Sequence, residues 1–287
     1  MSSRLILGVD AGNYKAKVAG VHGIDTFKTN ICNWFEMDVE QTFGQDDMEF
    51  EIDGRKGYAG TIAIYENEFG TGATYGDTKA HEDSKIRILL AIYRYLTKYS
   101  IDTKSIYVVV GQPIIMHKAG EKTKITDMII GEHDFIVNGQ RIKFEIKDAK
   151  VAMEGSAAFW SNPSMHSAKI IDIGSGTVNM ATIFEKNYIH HTSGTMSVGM
   201  ETLKNQKDLD AVARAIYQHS TKLKWKKESD VYICGGVTDS ILPHLQKHFS
   251  NAQAIQPKLR REYDYLTVPP TFANAVGFYN LANGVFK

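Results

Sequence analysis

The chain carries one short plan twice. Around Asp10 it reads LILGVDAGNYKAKVAGV, and around Asp172 it reads KIIDIGSGTVNMATIF. Each copy is an apolar run, then Asp-x-Gly, then Asn or Ser, with a polar residue seven after the Asp and Ala two further on. The pairs are Asp10 with Asp172, Gly12 with Gly174, Asn13 with Ser175, Lys17 with Asn179 and Ala19 with Ala181. The copies lie 162 residues apart, whereas solenoid repeats recur every 20 to 50 residues or so. Two similar domains are expected, not an array. Each copy predicts a strand, a tight turn and a second strand, with glycine at the turn because it takes positive φ without steric cost and lets a ligand approach the backbone. With six prolines and no low-complexity run, no flexible linker marks the division.

Other elements follow from local pattern. MEFEID and RKGYAG flank Asp53-Gly54, a hairpin signal that places a small hairpin near residues 48–59, within a small subdomain around 33–80. From Ser84 to Tyr99 the apolar Ile86, Leu89, Leu90, Tyr93 and Leu96 recur at helical spacing behind Ser84 as a candidate cap. IYVVVGQPI, residues 106–114, predicts a buried strand delivering a loop, and a second hairpin turns at Asn138-Gly139. Residues 150–160, 208–223 and 272–282 read as helices, and VYICGGV, residues 231–237, as another buried strand. Strands alternating with helices in both halves predict an α/β protein.

Carboxylates at strand ends, each beside a glycine turn and facing one cleft, suit a nucleotide with a divalent cation. Mg²⁺ takes about six oxygens and keeps several of its waters, so one or two aspartates holding those waters suffice. The turns supply backbone N–H groups for phosphates, and a hairpin from each half would clamp the β- and γ-phosphates from two sides. Lys17 reads either as a point cation for phosphate charge or as a solvated strand-edge lysine, and Lys15, on the same face parity, reads both ways too.

Composition removes several alternatives. Lys plus Arg and Asp plus Glu each number 33 in 287 residues, so no excess of cation is present to neutralise a run of DNA phosphates, and direct DNA binding is disfavoured. Cys32 and Cys234 lie far apart without metal-ligand spacing, which argues against a zinc site or a disulfide scaffold and for a cytoplasmic protein. No stretch reaches the roughly 18 apolar residues that span a bilayer, so no membrane contact is expected. A P-loop pattern is absent, and Gly70-Thr71-Gly72 with Gly76 misses the dinucleotide spacing. His244 and His248 lack a third ligand and, with His190-His191, read as surface. The run from Lys222 to Lys227 reads as a solvated face.

VDAGNYKAKV, DIGSGT, GQPI, AMEGSAA and CGG stand in the order found in the actin, Hsp70 and sugar-kinase superfamily. More narrowly, the chain resembles the plasmid-segregating bacterial actins of the ParM and AlfA type, AlfA above all. The resemblance implies an actin-like fold of two RNase H-like domains around a nucleotide cleft, 1–150 and 151–287. A linking helix near 150–160 and a C-terminal helix near 272–282 packing back toward the first domain go with it. Only about 30 residues separate Gly199 from Val231, so actin's subdomain IIB is expected to be absent.

Carried over by position, Asp10 and Asp172 would hold hydrated Mg²⁺. Gly12 and Asn13, and Gly174, Ser175, Gly176 and Thr177, would bind the phosphates of ATP or ADP, with Lys17 reaching them from the first hairpin. Glu154, on the linking helix, would orient the attacking water, and Gly235 and Gly236 would meet the adenosine. Asn179 stands where Hsp70-like patterns often carry Asp and receives no metal role. The implied activity is ATP hydrolysis coupled to a homopolymeric filament that segregates plasmids through a DNA-binding adaptor on centromere-like DNA. Within such a polymer the 222–227 basic run could act multivalently on an acidic neighbour or on DNA. The alternative is a small-molecule kinase of the same superfamily, for which the sequence shows no acceptor motif.

Overall fold

The computed structural model of the protein describes residues 4–37, 42–66, 78–200 and 208–286. Its first nine strands are β1 (Leu5–Ala11), β2 (Lys15–Gly20), β3 (Gly23–Lys28), β4 (Ile31–Asn33), β5 (Met48–Ile52), β6 (Arg55–Ala59), β7 (Ser105–Gln112), β8 (Gly131–Val137) and β9 (Gln140–Met153). They form one sheet in the order β3-β2-β1-β7-β9-β8-β5-β6-β4. The second sheet takes β10 (Ala168–Ile173), β11 (Val178–Phe184), β12 (Asn187–Tyr188), β13 (Gly194–Met196), β14 (Asp230–Gly235) and β15 (Asn251–Ala254). Its order is β12-β11-β10-β14-β15, with β13 also on β11. A separate hairpin joins β16 (Lys258–Arg260) to β17 (Tyr265–Thr267).

The sequence repeat is a topological repeat. In the first sheet β3, β2 and β1 pair antiparallel while β1, β7 and β9 run parallel. In the second, β12, β11 and β10 pair antiparallel while β10, β14 and β15 run parallel. Both D-x-G motifs thus end the central strand of an equivalent five-strand unit. The parallel core strands are apolar on both faces because both are covered: Val108 and Val110 face one cluster and Val109 another. Turns at Asp53-Gly54 and Asn138-Gly139 put both central residues at positive φ, the geometry that matches strand twist in two-residue hairpins.

The helices are α1 (Ile62–Glu66), α2 (Glu82–Lys98), α3 (Ala119–Ile129), α4 (Ser156–Phe159), α5 (Leu209–Lys222), α6 (Thr238–Gln246) and α7 (Ala273–Val285). α2 covers β1 to β3, but Ser84 is buried inside it and does not cap it. The cap is His81, whose ring Nδ1 accepts from the Ser84 N–H at 3.2 Å; Glu82 and Asp83 follow in the first turn, where the helix dipole favours acids. Among the described residues between Gly199 and Val231, α5 is the one helix. The glycines at 70, 72 and 76 lie outside the described residues.

The helix expected at 150–160 begins as strand, and only Ser156–Phe159 are helical. β9 stays paired with β7 as far as Met153 opposite Gln112, so ladder hydrogen bonds override the helical preference of the alanine-rich sequence. Gly155, at φ +73°, turns the chain, and the helix that follows, α4, has four residues. Glu154 therefore sits at a strand end and not on a helix.

α7 packs backbone to backbone on two elements. A Cβ at Gly8 of β1 would lie 2.2 Å from the Ala275 carbonyl oxygen, and one at Gly277 would lie 1.9 Å from that of Ala157 in α4. Gly8→Ala is expected to destabilise the protein by roughly 1–3 kcal/mol, the usual cost of overpacking, read from the denaturant midpoint. Gly284→Ala, where nothing lies within 4 Å, should be neutral or mildly stabilising. Equal midpoints for the two variants would contradict this packing.

Candidate nucleotide site

Asp10 and Asp172 are each 6% exposed, at equivalent strand ends. Across each hairpin the register sets a partner: Asp10 opposes Lys17, and Asp172 opposes Asn179. Lys17 Nζ lies 3.1 Å from Asp10 Oδ2. Burial works against the charge on Lys17, but Asp10, with Asp172 and Glu154 beyond it, outweighs that and holds its pKa above the ordinary lysine value.

The first turn is braced from beneath. Arg87 of α2, 2% exposed, donates from Nη1 to Asn13 Oδ1 at 2.7 Å and from Nε to the Thr29 carbonyl at 3.2 Å. Thr29 Oγ1 donates to the Gly12 carbonyl at 2.7 Å. The Asn13 side-chain oxygen is thus committed to the scaffold, and the turn can offer a ligand its backbone N–H groups. In the second turn the Gly174 N–H donates to Thr177 O and the Met200 N–H to Gly174 O. Gly174, Ser175, Gly176 and Thr177 are all half-exposed.

Asp172 is held by neutral donors. Asn274 of α7 donates to its Oδ2 at 2.9 Å, Asn179 to the same oxygen at 3.5 Å, and the Cys234 thiol to Oδ1 at 3.7 Å. Burial raises its pKa, and the Asn274 and Asn179 hydrogen bonds oppose the rise. Burial and the neighbouring Asp172 push the Cys234 thiol well up. Gly235, at φ +108°, packs where a Cβ would lie 2.1 Å from Ile173 O, so its glycine is required by the strand end; beside Gly236 the space is open.

Glu154 joins the two aspartates. It is 8% exposed, and its N–H donates to the Gln112 carbonyl at 2.9 Å. Its Oε2 accepts from Asn179 Nδ2 at 3.3 Å. Burial first, then Asp10 and Asp172, push its pKa up to about 7, against the pull of Lys79 and Lys17.

Lys79, which the sequence reading does not single out, adds a second cation here. Its Nζ donates to the Ala11 carbonyl at 3.3 Å, and burial, with Arg87 and Lys17, lowers its pKa against Glu154 and Asp10. Nothing in local spacing points to Lys79. Arg87 had a signal, a cation between Ile86 and Ile88 on a buried helix face, and so had Asn274, a polar residue in the apolar ANAVGF run.

The other candidates lie elsewhere. His244 Nδ1 pairs with Asp210 Oδ1 at 2.8 Å, joining α6 to α5, and His248 stacks on Tyr217. His190 packs edge-on against Tyr188. Lys222, Lys224, Lys226 and Lys227 are exposed around a buried Trp225. Both cysteines are free and buried. Among the described residues no cluster of three or more His, Cys, Asp or Glu could cage a metal. Two carboxylates on facing strand ends instead fit an ion that retains most of its water.

Residues 8–156 match the family described as actin like proteins, N terminal domain. The chain belongs to the actin-like proteins. This actin-like protein shares its fold with AlfA in a filament bound to AMPPNP, at 19% identity over 100% of both chains and a TM-score of 0.77. The filament structure of AlfA from B. subtilis plasmid pLS32 covers 95% of this chain and 97% of its own at 18% identity, with a TM-score of 0.77. Apo pSK41 ParM covers 99% and 98% at 13% identity, with a TM-score of 0.72. A comparison with curated proteins gave no match. Topology and family agree on an actin-like α/β fold.

Because burial lifts Glu154 from its ordinary value to about 7, the folded protein without nucleotide binds a proton there that the unfolded chain releases between about pH 4.5 and 7. That contribution to stability is present below the unfolded pKa and is lost as pH rises through the folded one. Glu154→Gln should therefore stabilise the nucleotide-free protein at pH 8 by up to about 3 kcal/mol, with no gain at pH 4. A pH-independent difference in denaturation midpoint would contradict the buried, charge-crowded setting of Glu154.

Proposed function

We propose that this actin-like protein binds and hydrolyses ATP with Mg²⁺, assembles with itself into filaments, and segregates plasmid DNA through a DNA-binding adaptor at a centromere-like site. The observation that carries the reading is the convergence of two equivalent Asp-bearing hairpins, one from each sheet, with the buried Glu154 between them. Its fold relatives include AlfA bound to AMPPNP and filament structures of AlfA and Alp12. The sheets then serve as two domains dividing near residue 150, with the nucleotide in the cleft between them. Equal numbers of acidic and basic residues fit contact with DNA through an adaptor. No helix among the described residues is long and apolar enough to cross a membrane, which is compatible with action in the cytoplasm.

The residues divide the work. The backbone N–H groups of the Gly12-Asn13 turn, and those of Ser175, Gly176 and Thr177 in the turn that begins at Gly174, receive the phosphates, as other glycine-rich nests do. Lys17, and Lys79 from the facing loop, neutralise phosphate charge in a poorly solvated site where each cation counts for more than in water. Asp10 and Asp172 would hold the water shell of Mg²⁺, and the ion would supply positive charge to offset that developing on the transferred phosphoryl group. Glu154, as a carboxylate, accepts a hydrogen bond from the attacking water and aligns it. Gly235 ends β14 beside Ile173, and Gly236 after it leaves an open face, so that the pair can meet the adenosine.

Wild-type protein should pellet with Mg-ATP and much less with ADP, above a threshold concentration. Asp172→Ala should bind Mg-ATP far more weakly. Glu154→Ala should still bind and assemble but release phosphate about 10²-fold more slowly, the scale of one lost transition-state contact. Sedimentation, nucleotide affinity and phosphate release in the same preparations decide. Protein that stays soluble with every nucleotide but phosphorylates a sugar would replace this reading with the kinase.

A further inference from the structure

The two hairpins differ most at the residue facing the aspartate. In the first it is Lys17, a cation paired with Asp10. In the second it is Asn179, neutral and 1% exposed. Every hydrogen-bonding position of its amide is used. Nδ2 donates to Glu154 Oε2 at 3.3 Å and to Asp172 Oδ2 at 3.5 Å. Oδ1 accepts from the Ile114 N–H at 3.2 Å and from Thr195 Oγ1 at 2.9 Å.

The two sides of the amide face different parts of the molecule. Thr195, the register partner of Asn179 on β13, accepts from the Ile115 N–H at 3.3 Å. Ile114 and Ile115 belong to the turn after β7, so the oxygen side of the amide holds a loop of the first sheet. The nitrogen side faces the two carboxylates. Turned over, the amide would point its oxygen at both carboxylates and an N–H at the Ile114 N–H, so that donor and the two acids fix its orientation. The bonds to the carboxylates are the long ones, and their lengths depend on that orientation.

Residue chemistry explains why the position carries Asn. An Asp would bring a third acid against Asp172 and Glu154, and a Lys would draw Glu154 into an ion pair and away from water. An amide gives each carboxylate one donor and adds no charge. Gly155 permits the close approach: a Cβ there would lie 3.1 Å from that of Asn179.

We propose that Asn179 is a positioning residue that aims Glu154 at the attacking water, and that docking of the Ile114-Ile115 turn on Asn179 and Thr195 holds it in that pose. Hydrolysis then reports whether a loop of the first sheet is seated on the second, which ties the chemistry to the relative placement of the two halves. This rests on the reading of Glu154 as the water-orienting residue.

The test compares full-length wild type with Glu154→Ala, Asn179→Ala, Thr195→Val and the Asn179→Ala/Thr195→Val double variant, measuring Mg-ATP affinity and phosphate release. Thr195 is half-exposed and touches neither carboxylate, so its variant keeps the question answerable if Asn179→Ala does not fold. Thr195→Val should bind Mg-ATP within about twofold of wild type yet release phosphate between about fivefold and 10²-fold more slowly, as misplacing a positioning group does. The double variant should be no slower than Asn179→Ala alone, because Thr195 acts through Asn179. Wild-type phosphate release by Thr195→Val, or slowing in the double variant equal to the product of the two single effects, overturns the proposal while leaving Glu154 its role. Wild-type release by Glu154→Ala overturns that role and the proposal with it.

Discussion

Three buried carboxylates share one cleft, and the architecture around them is arranged to make that tolerable. Asp10, Asp172 and Glu154 are each less than a tenth exposed, and ionised acids at such positions repel one another and lose their hydration. The compensation is unequal. Asp10 has a lysine, Asp172 has two amides and a thiol, and Glu154 has one long amide contact. Glu154 is accordingly the acid whose pKa is pushed up to about 7. A site so crowded with acid, edged by Lys17 and Lys79 and by two open turns, suits a ligand that brings both anionic phosphates and a divalent cation.

The helix α7 turns this cleft into a single mechanical unit. It lies against β1 two residues before Asp10, through Gly8, and against α4 through Gly277. Its Asn274 donates to Asp172 and accepts from the Gly155 N–H at 2.9 Å, next to Glu154. One helix therefore sets the spacing of all three acids. Close packing makes such contacts stiff, so a change in the relation of the two sheets is transmitted to the acids and not absorbed between them.

Much of this was legible in the sequence because it is local or periodic. The duplicated D-x-G plan marks both central strands and both aspartates. Asp53-Gly54 and Asn138-Gly139 mark their hairpins, and the spacing of Ile86, Leu89, Leu90 and Tyr93 marks α2. What was hidden depends on long-range pairing. The stretch before Gly155 has helical composition, yet β7 lies parallel to it and claims its backbone groups. Lys79, Arg87 and Asn274 reach the site from segments far away in sequence, Asn274 from 102 residues beyond Asp172, and no spacing rule connects them. Asn179 is visible as a departure from the Hsp70-like pattern, but its meaning emerges only when its four partners are seen together.

If the proposed function holds, both turns and all three acids address one triphosphate. A filament or crystal structure of this protein with Mg²⁺ and a non-hydrolysable ATP analogue tests it most directly. The β- and γ-phosphates should lie between the Gly12-Asn13 and Gly174-Thr177 turns, with Lys17 on the phosphates, the cation's water shell shared by Asp10 and Asp172, and the Glu154 carboxylate facing the γ-phosphate. Phosphates seated outside the two turns, or a γ-phosphate turned away from Glu154, would contradict it.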